Sequence, residues 1–194
     1  MSETTLTPQR ILEAAEEVLR RYGPAKATVV DVARALDVSH GSVYRHFPSK
    51  AALREAVVER WLHRVSAPLE ACVDASGPAP RRLRQWFDQL RSLKRAKALD
   101  DPEVFAAYSA LGAESRAVIV RHIDTLLAQL GRIIAEGMAR GELAAGDPAV
   151  AARALLDATT RFHKPAHAAE WGEPGNEAAF EALWALLMRG LGAG

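Results

Sequence analysis

Cysteine is almost missing from this chain. Its single thiol, Cys72, has no partner for an intramolecular disulfide and cannot build a cysteine-based metal cluster. Net charge is scarce too. Lys and Arg number 25 against 24 Asp and Glu, a formal charge of +1. Bulk charge therefore does not point to nucleic acid, and such a role must rest on local features. No apolar run approaches the roughly 18 residues of a membrane helix. No basic stretch followed by an apolar one stands near Met1, so no signal peptide is expected, and the cytoplasm is the expected compartment. The alternating pattern of a half-buried strand is absent, as is any solenoid-type repeat. Nothing resembles a nucleophile elbow, a phosphate loop or a His-Glu metal helix, so neither an enzyme nor a cofactor is expected.

What is present is helix-forming sequence. Hydrophobic residues make up 49% of the 194 and lean on Ala and Leu, which favours helix over sheet. Thr7-Pro8 opens a first helix with Ile11, Leu12, Ala15, Val18, Leu19 and Tyr22 on one stripe, and Gly23-Pro24 stops it. Thr28 and Asp31 pair as a capping box for a second. After a break at Asp37-Val38-Ser39, a third runs from His40 to Phe47. Ser49 caps a fourth, expected to continue to about Val73. Beyond the linker Ser76 to Pro80, helices are expected from Arg81 to Lys97, Asp101 to Gly112, Ala113 to Arg140, Asp147 to about His163, and Glu177 to Arg189. The reading is all-α, with about nine helices. A boundary is expected near residue 50, with residues 1–50 a compact three-helix domain and residues 51–194 a helical bundle, connected through the fourth helix.

The informative stretch is Thr28 to Lys50. Two short helices are joined by a tight turn. The second starts with small polar residues, Ser39, His40, Gly41 and Ser42, followed by Tyr44, Arg45 and His46. From Val38 to Arg54 there is no acidic residue, while Arg45, Lys50 and Arg54 are cationic. A helix entering a groove about 12 Å wide needs small or hydrogen-bonding leading residues, and flanking cations meet phosphates. Val43 and Phe47 are assigned to the core.

This run resembles the tetracycline-repressor (TetR) family. Val38, Val43, Tyr44, His46, Phe47, Ser49 and Lys50 occupy the places of that family's motif, and Ile11, Ala15, Gly23, Thr28, Val32, Ala33 and Leu53 agree in the flanks. The resemblance covers roughly Leu6 to Val65. It implies a regulator, with repression as the expected direction, that binds palindromic duplex DNA as a homodimer. Bases would face His40, Gly41, Ser42 and Arg45 behind Ser39. Phosphates would meet Tyr44 and Lys50, with Thr28 and His46 as further backbone contacts. It also implies a pocket for a small, largely apolar effector between the fifth to eighth helices. The candidate lining is Trp86, Leu90, Phe105, Tyr108, Ile123, Leu127 and Phe162, and Tyr108, Arg116, His122 or Asp124 could orient a polar end. The last two helices are implied to form the dimer through Leu155, Phe162, Phe180, Leu183, Trp184 and Leu187. His163 and His167 have the four-residue spacing of a zinc helix, but Pro165 between them disrupts that helix. Basic groups meeting a helix carboxyl end are the plainer account, and no metal is expected.

Overall fold

The computed structural model describes residues 5–192. All regular structure among them is helical. The α-helices are α1 (Pro8–Lys26), α2 (Val29–Ala35), α3 (His40–Tyr44), α4 (Lys50–Ser66), α5 (Glu70–Val73), α6 (Ala79–Asp100), α7 (Pro102–Glu114), α8 (Arg116–Ala139), α9 (Pro148–Ala158) and α10 (Asn176–Gly190). Short 3-10 segments cover Ala67–Leu69, Thr160–Phe162 and Pro165–Gly172.

Several boundaries differ from the sequence reading: α1 resumes after a non-helical Gly23 (φ 72°) and runs to Lys26, α3 ends at Tyr44 and α6 spans Ala79–Asp100. Three further differences have a local reason. The expected fourth helix is interrupted by a 3-10 turn at Ala67–Leu69, because Pro68 lacks an N–H and resists continuation. This break is why ten α-helices stand where about nine were expected. α9 ends at Ala158 because the next two hydroxyls take over its last carbonyls. Thr159 Oγ1 donates to Leu155 O at 2.8 Å, and Thr160 Oγ1 donates to Asp157 O at 2.7 Å. Gly112 does not stop α7. A Cβ there would meet Ile119 Cδ1 at 3.2 Å, so this glycine serves close packing of α7 against the first turn of α8.

The chain forms two compact units that do not follow chain order. One contains residues up to His63 together with Asp101–Val120; the other contains Arg64–Asp100 and Arg121 onward. In the first unit, Ile11, Val18, Val32, Val43, Val57 and Trp61 are buried. Trp61 stacks on Tyr108, with centroids 5.2 Å apart, and meets Phe105 edge-on at 6.0 Å. α7 thus supplies two aromatic rings to the unit that carries α3.

The second unit has a larger core of Leu69, Leu83, Trp86, Phe87, Leu90, Leu130, Ile133, Ile134, Leu155 and Phe180. Polar groups at its seams are bonded with care, as burial demands. Arg82, 2% exposed, donates to the carbonyls of Cys72 and Val73 and pairs with Glu136 at 2.5 Å, closing the end of α5. Gln129 accepts from the Trp86 indole at 3.1 Å and donates to Ser66 O at 3.0 Å and to Glu70 at 2.9 Å. Lys94, His122 and His163 bring three basic groups together inside this unit. Burial, with the nearby charge of Lys97, pushes Lys94 down to about 8. Burial and then the charges of Lys94 and His163 push His122 down to about 3. Burial and Lys94 push His163 down to about 4, against the opposing effect of its hydrogen bond to Leu156 O. That bond, at 3.2 Å, requires the proton on Nε2.

Two stability predictions follow from this unit. In α8, Gly131 has open space around a built Cβ, whereas at Gly137 it would lie 2.5 Å from Ala79 Cβ and 2.9 Å from Leu143 Cδ1. Helix propensity favours Gly→Ala by about 1 kcal/mol. Overpacking against a Cβ that cannot rotate away costs about 1–3 kcal/mol. Gly131→Ala should therefore raise the urea midpoint and Gly137→Ala should lower it; equal effects would contradict the packing. The second concerns acid. The unfolded imidazoles protonate near pH 6.5, at roughly their ordinary value, and those of the fold only near 3 and 4. Within that window the unfolded state binds more protons, so stability falls as pH drops from about 6.5, by up to about 1.4 kcal/mol per pH unit for each histidine. Urea titrations at pH 7 and pH 5 should show the loss, and His122→Leu should remove close to half of the slope between them.

Candidate nucleic-acid interface

The helix-turn-helix is built by its caps. Thr28 Oγ1 accepts from Asp31 N at 3.2 Å, and Asp31 Oδ2 accepts from Thr28 N at 3.1 Å. Thr28 Oγ1 also lies 2.6 Å from Asp31 Oδ2, donating to it. These bonds from Thr28, with Arg34 adding to them, hold the Asp31 carboxyl below its usual range. A consequence bears on function. The Thr28 hydroxyl hydrogen is directed at Asp31, so while the capping box stands it offers no donor to a phosphate oxygen.

α2 ends in a turn where Asp37 takes φ 53°, a left-handed conformation that Asp tolerates better than most residues. Ser39 then caps α3. Its Oγ accepts from Ser42 N at 3.2 Å and lies 2.9 Å from Ser42 Oγ. Arg45 Nη2 donates to Ser42 Oγ at 3.1 Å. His40 and Tyr44 meet edge to face with centroids 6.2 Å apart. Val43 is fully buried and Phe47 is 9% exposed, as the sequence reading assigned them. Their burial turns His40, Gly41, Tyr44, Arg45 and His46 outward, with Ser42 at the margin. Ser49 caps α4 through Ala52 N at 3.0 Å, which leaves Lys50 exposed in its first turn.

Arg54 stands apart from the other cations. It donates to Pro24 O and faces Glu114 at 3.7 Å, so it braces the unit internally. At Gly41 a Cβ would meet only Ser39 Oγ, at 3.8 Å. Local packing therefore does not require glycine there.

The expected pocket residues are divided between the two units. Phe105 and Tyr108 pack on Trp61 in the first. Trp86, Leu90 and Phe162 are core residues of the second, with Ile123 and Leu127 partly buried against them. The expected dimer residues fall into two groups as well. Leu155 is 2% exposed, Phe162 6%, Phe180 0% and Trp184 8%, all inside the protomer's own core. Leu183 and Leu187 are partly buried beside it. On α9 and α10 the large side chains open to solvent are Val150, 65% exposed, and Leu186, 60% exposed. Neither was singled out from the sequence, although Leu186 lies within one helical turn of Leu183 and Leu187, which were. Among the described residues, His163 and His167 do not belong to a group able to hold a metal. His163 bonds to Leu156 O, and His167 faces Glu170 at 2.8 Å. No helix among those residues is long and apolar enough to cross a membrane.

The chain is similar to known proteins in both its N-terminal and its C-terminal parts. Residues 11–57 match the model of bacterial regulatory proteins of the tetR family. An uncharacterised helix-turn-helix transcriptional regulator of Mycobacterium tuberculosis is 34% identical over 97 residues, or 50% of this chain and 48% of that protein. The chain thus spans about half the length of that relative. The transcriptional regulator TtgR of Pseudomonas putida is 27% identical over 170 residues, covering 82% of this chain and 80% of its own. The fatty acid degradation regulator FadR of Bacillus halodurans shares the fold with a TM-score of 0.68 at 16% identity, over 96% of both chains. Residues 79–184, more than half of the chain, match the tetracyclin repressor-like C-terminal domain, and the chain belongs to the TetR family.

Proposed function

We propose that this protein is a homodimeric transcriptional repressor that binds a palindromic operator through α3 and the start of α4, and that a small, largely apolar effector releases it. The observation that carries this reading is one exposed face of His40, Gly41, Tyr44, Arg45, His46 and Lys50, set on the buried anchors Val43 and Phe47. The side chains at the helix start are small or able to hydrogen-bond base edges, and no acidic group lies between Val38 and Arg54 to repel phosphate. Phosphate contacts fall to Tyr44, His46 and Lys50. Thr28 contributes through the cap it gives α2.

Two copies are needed because a single short helix reads too few bases. A twofold dimer would place two α3 helices about 34 Å apart, one turn of DNA. Val150, Leu183, Leu186 and Leu187 would supply the dimer surface, with Phe180 and Trp184 backing it from within. The effector would lodge among Trp86, Leu90, Ile123, Leu127 and Phe162, where His122 can orient a polar end.

Selection from a random duplex library should recover an inverted repeat; no enrichment at moderate salt would refute sequence-specific binding. Lys50→Ala should weaken all duplexes alike and flatten the salt dependence by about one unit. Gly41→Ala should raise stability by about 1 kcal/mol through helix propensity and alter which bases are preferred, because the added methyl meets only Ser39 Oγ, at 3.8 Å, on an exposed residue of α3. A specificity change in Lys50→Ala, with none in Gly41→Ala or Ser42→Ala, would reverse the assigned roles. For the dimer, Leu186→Asp should give a folded monomer by light scattering and circular dichroism. Trp184→Asp should unfold the protein, since burying an unpaired carboxylate is severely unfavourable. A Leu186→Asp variant that stays dimeric would exclude this surface.

A further inference from the structure

A cleft of about 270 Å³ opens in the second unit, lined by Asp88, Arg91, Ser92 and Arg95 of α6, by Phe162 and Trp171, and by Asn176 and Glu177 at the start of α10. The geometry points to a binding site for a small aromatic carboxylate, its ring on Phe162 and Trp171 and its carboxylate between Asn176 and Arg95. This goes beyond the DNA-binding reading and does not depend on it.

One donor in this cleft is unmatched. Asn176 is only 9% exposed, and its amide Nδ2 is buried with no hydrogen-bond partner. A native protein rarely leaves such a group unpaired, since desolvating it without a partner is unfavourable. The same residue begins a 15-residue helix whose N-cap is Gly175, with no side-chain cap. Gly175 gives the first turn of α10 no capping side chain; Asn176 N donates to Glu173 O at 3.2 Å, and Glu177, held by Arg91, is the acidic residue of that turn. The vacant capacity at this corner is for an acceptor, preferably an anion.

The charged lining supports the same sign. Arg91 bridges both acidic residues of the cleft, reaching Glu177 at 2.5 Å and Asp88 at 3.5 Å. Arg84 also holds Asp88, at 2.7 Å. Arg91 further lies 3.6 Å from the centroid of the Phe180 ring, which fixes its guanidinium. The two carboxylates are thus engaged by Arg91 and Arg84, the latter also paired with Glu181 at 2.5 Å. Arg95 is exposed and lies within salt-bridge distance of no carboxylate among the described residues, and Ser92 is exposed beside it. That leaves one cation, one hydroxyl and one amide donor for a ligand.

The other wall selects for a ring. Phe162 is 6% exposed and Trp171 4% exposed. The Trp171 indole N–H already donates to Arg161 O at 3.0 Å, so its ring offers only carbon to the cleft. A six-membered ring bearing one carboxylate matches both the volume and the split between donors and aromatic surface.

The test uses the full-length protein and sodium benzoate, followed through the four tryptophan indole N–H signals in nitrogen–proton NMR spectra. A ligand of this size should bind in roughly the millimolar range. The Trp171 signal should shift and saturate while those of Trp61, Trp86 and Trp184 stay within the noise. Arg95→Glu, on an exposed position that leaves the fold intact, should weaken benzoate by about 10-fold or more, the effect of losing one charge-assisted bond. Benzyl alcohol, which keeps the ring and lacks the charge, should bind at least about 10-fold more weakly than benzoate. Acetate, which keeps the charge and lacks the ring, should also be weaker by about 5-fold or more. Asn176→Ala should weaken benzoate without lowering the thermal midpoint, since it removes an unsatisfied donor. An unmoved Trp171 signal at about 10 mM benzoate, equal affinity in Arg95→Glu, or equal binding of acetate would each overturn the assignment.

Discussion

The reading helix cannot stand by itself. A helix of five residues lies far below the length at which propagation offsets nucleation, so α3 exists only because its surroundings hold it. Val43 at zero exposure and Phe47 behind it anchor one side, and Ser39 satisfies the first-turn donor at Ser42. Successive helical residues differ by about 100° around the axis. Burying Val43 therefore fixes where every other side chain of α3 points. Had the anchor fallen one residue earlier or later, Arg45 and His40 would turn toward the core and the outward face would lose its donors. The internal bond from Arg45 to Ser42 adds a second restraint. It holds the guanidinium along the helix in the free protein, and a base edge must compete with a hydroxyl for it.

The second unit is organised by a different constraint. Its core contains cations. Arg82 is matched by two carbonyls and a carboxylate, and it closes α5 firmly. Lys94, His122 and His163 instead crowd groups of one sign, and the two imidazoles are kept neutral by burial and by the lysine charge. A buried polar network that is fully matched rigidifies, whereas one with an unmatched atom, such as His122 Nε2, is open to reorganisation. The first kind of seam lies beside α5 and the second beside the residues proposed to hold an effector.

The sequence carried much of this in plain form. The helix starts at Thr7, Thr28, Ser49, Asp101 and Asp147 all occur where the pattern placed them, because an N-cap is a local bargain between one side chain and the next turn. The motif from Val38 to Lys50 was legible for the same reason: its core and solvent faces alternate with the helical period. What escaped depended on contacts between different elements. Gly112 looked like a stop and is a packing contact with Ile119. Arg54 looked like a free cation beside the motif and is tied to Pro24. Phe180 and Trp184 looked like dimer surface, but apolar character cannot tell whether a large side chain is covered by its own chain or by a partner. The cleft beside Asn176 left no sequence signal, because an unmatched amide is recognisable only once its neighbours are known.

The division into units bears on how the proposed release could operate. The chain passes between them three times, at His63–Arg64, Asp100–Asp101 and Val120–Arg121. The first passage lies inside α4 and the third inside α8. α7 belongs to the unit that carries α3, yet it is joined covalently at one end to α6 and at the other to α8. A ligand that altered the packing of α6 or α8 would therefore act on that unit through the backbone at α7 as well as at α4. Within it, Tyr108 and Phe105 of α7 press on Trp61 of α4, so the two routes converge on one aromatic cluster. Tight binding alone would not release DNA. The ligand must favour the packing that disfavours the operator, and linkage requires the operator to weaken the ligand by the same factor, typically about 5- to 150-fold. The convergence at Trp61 is what would let a modest differential of that size reach both ends of the reading unit together.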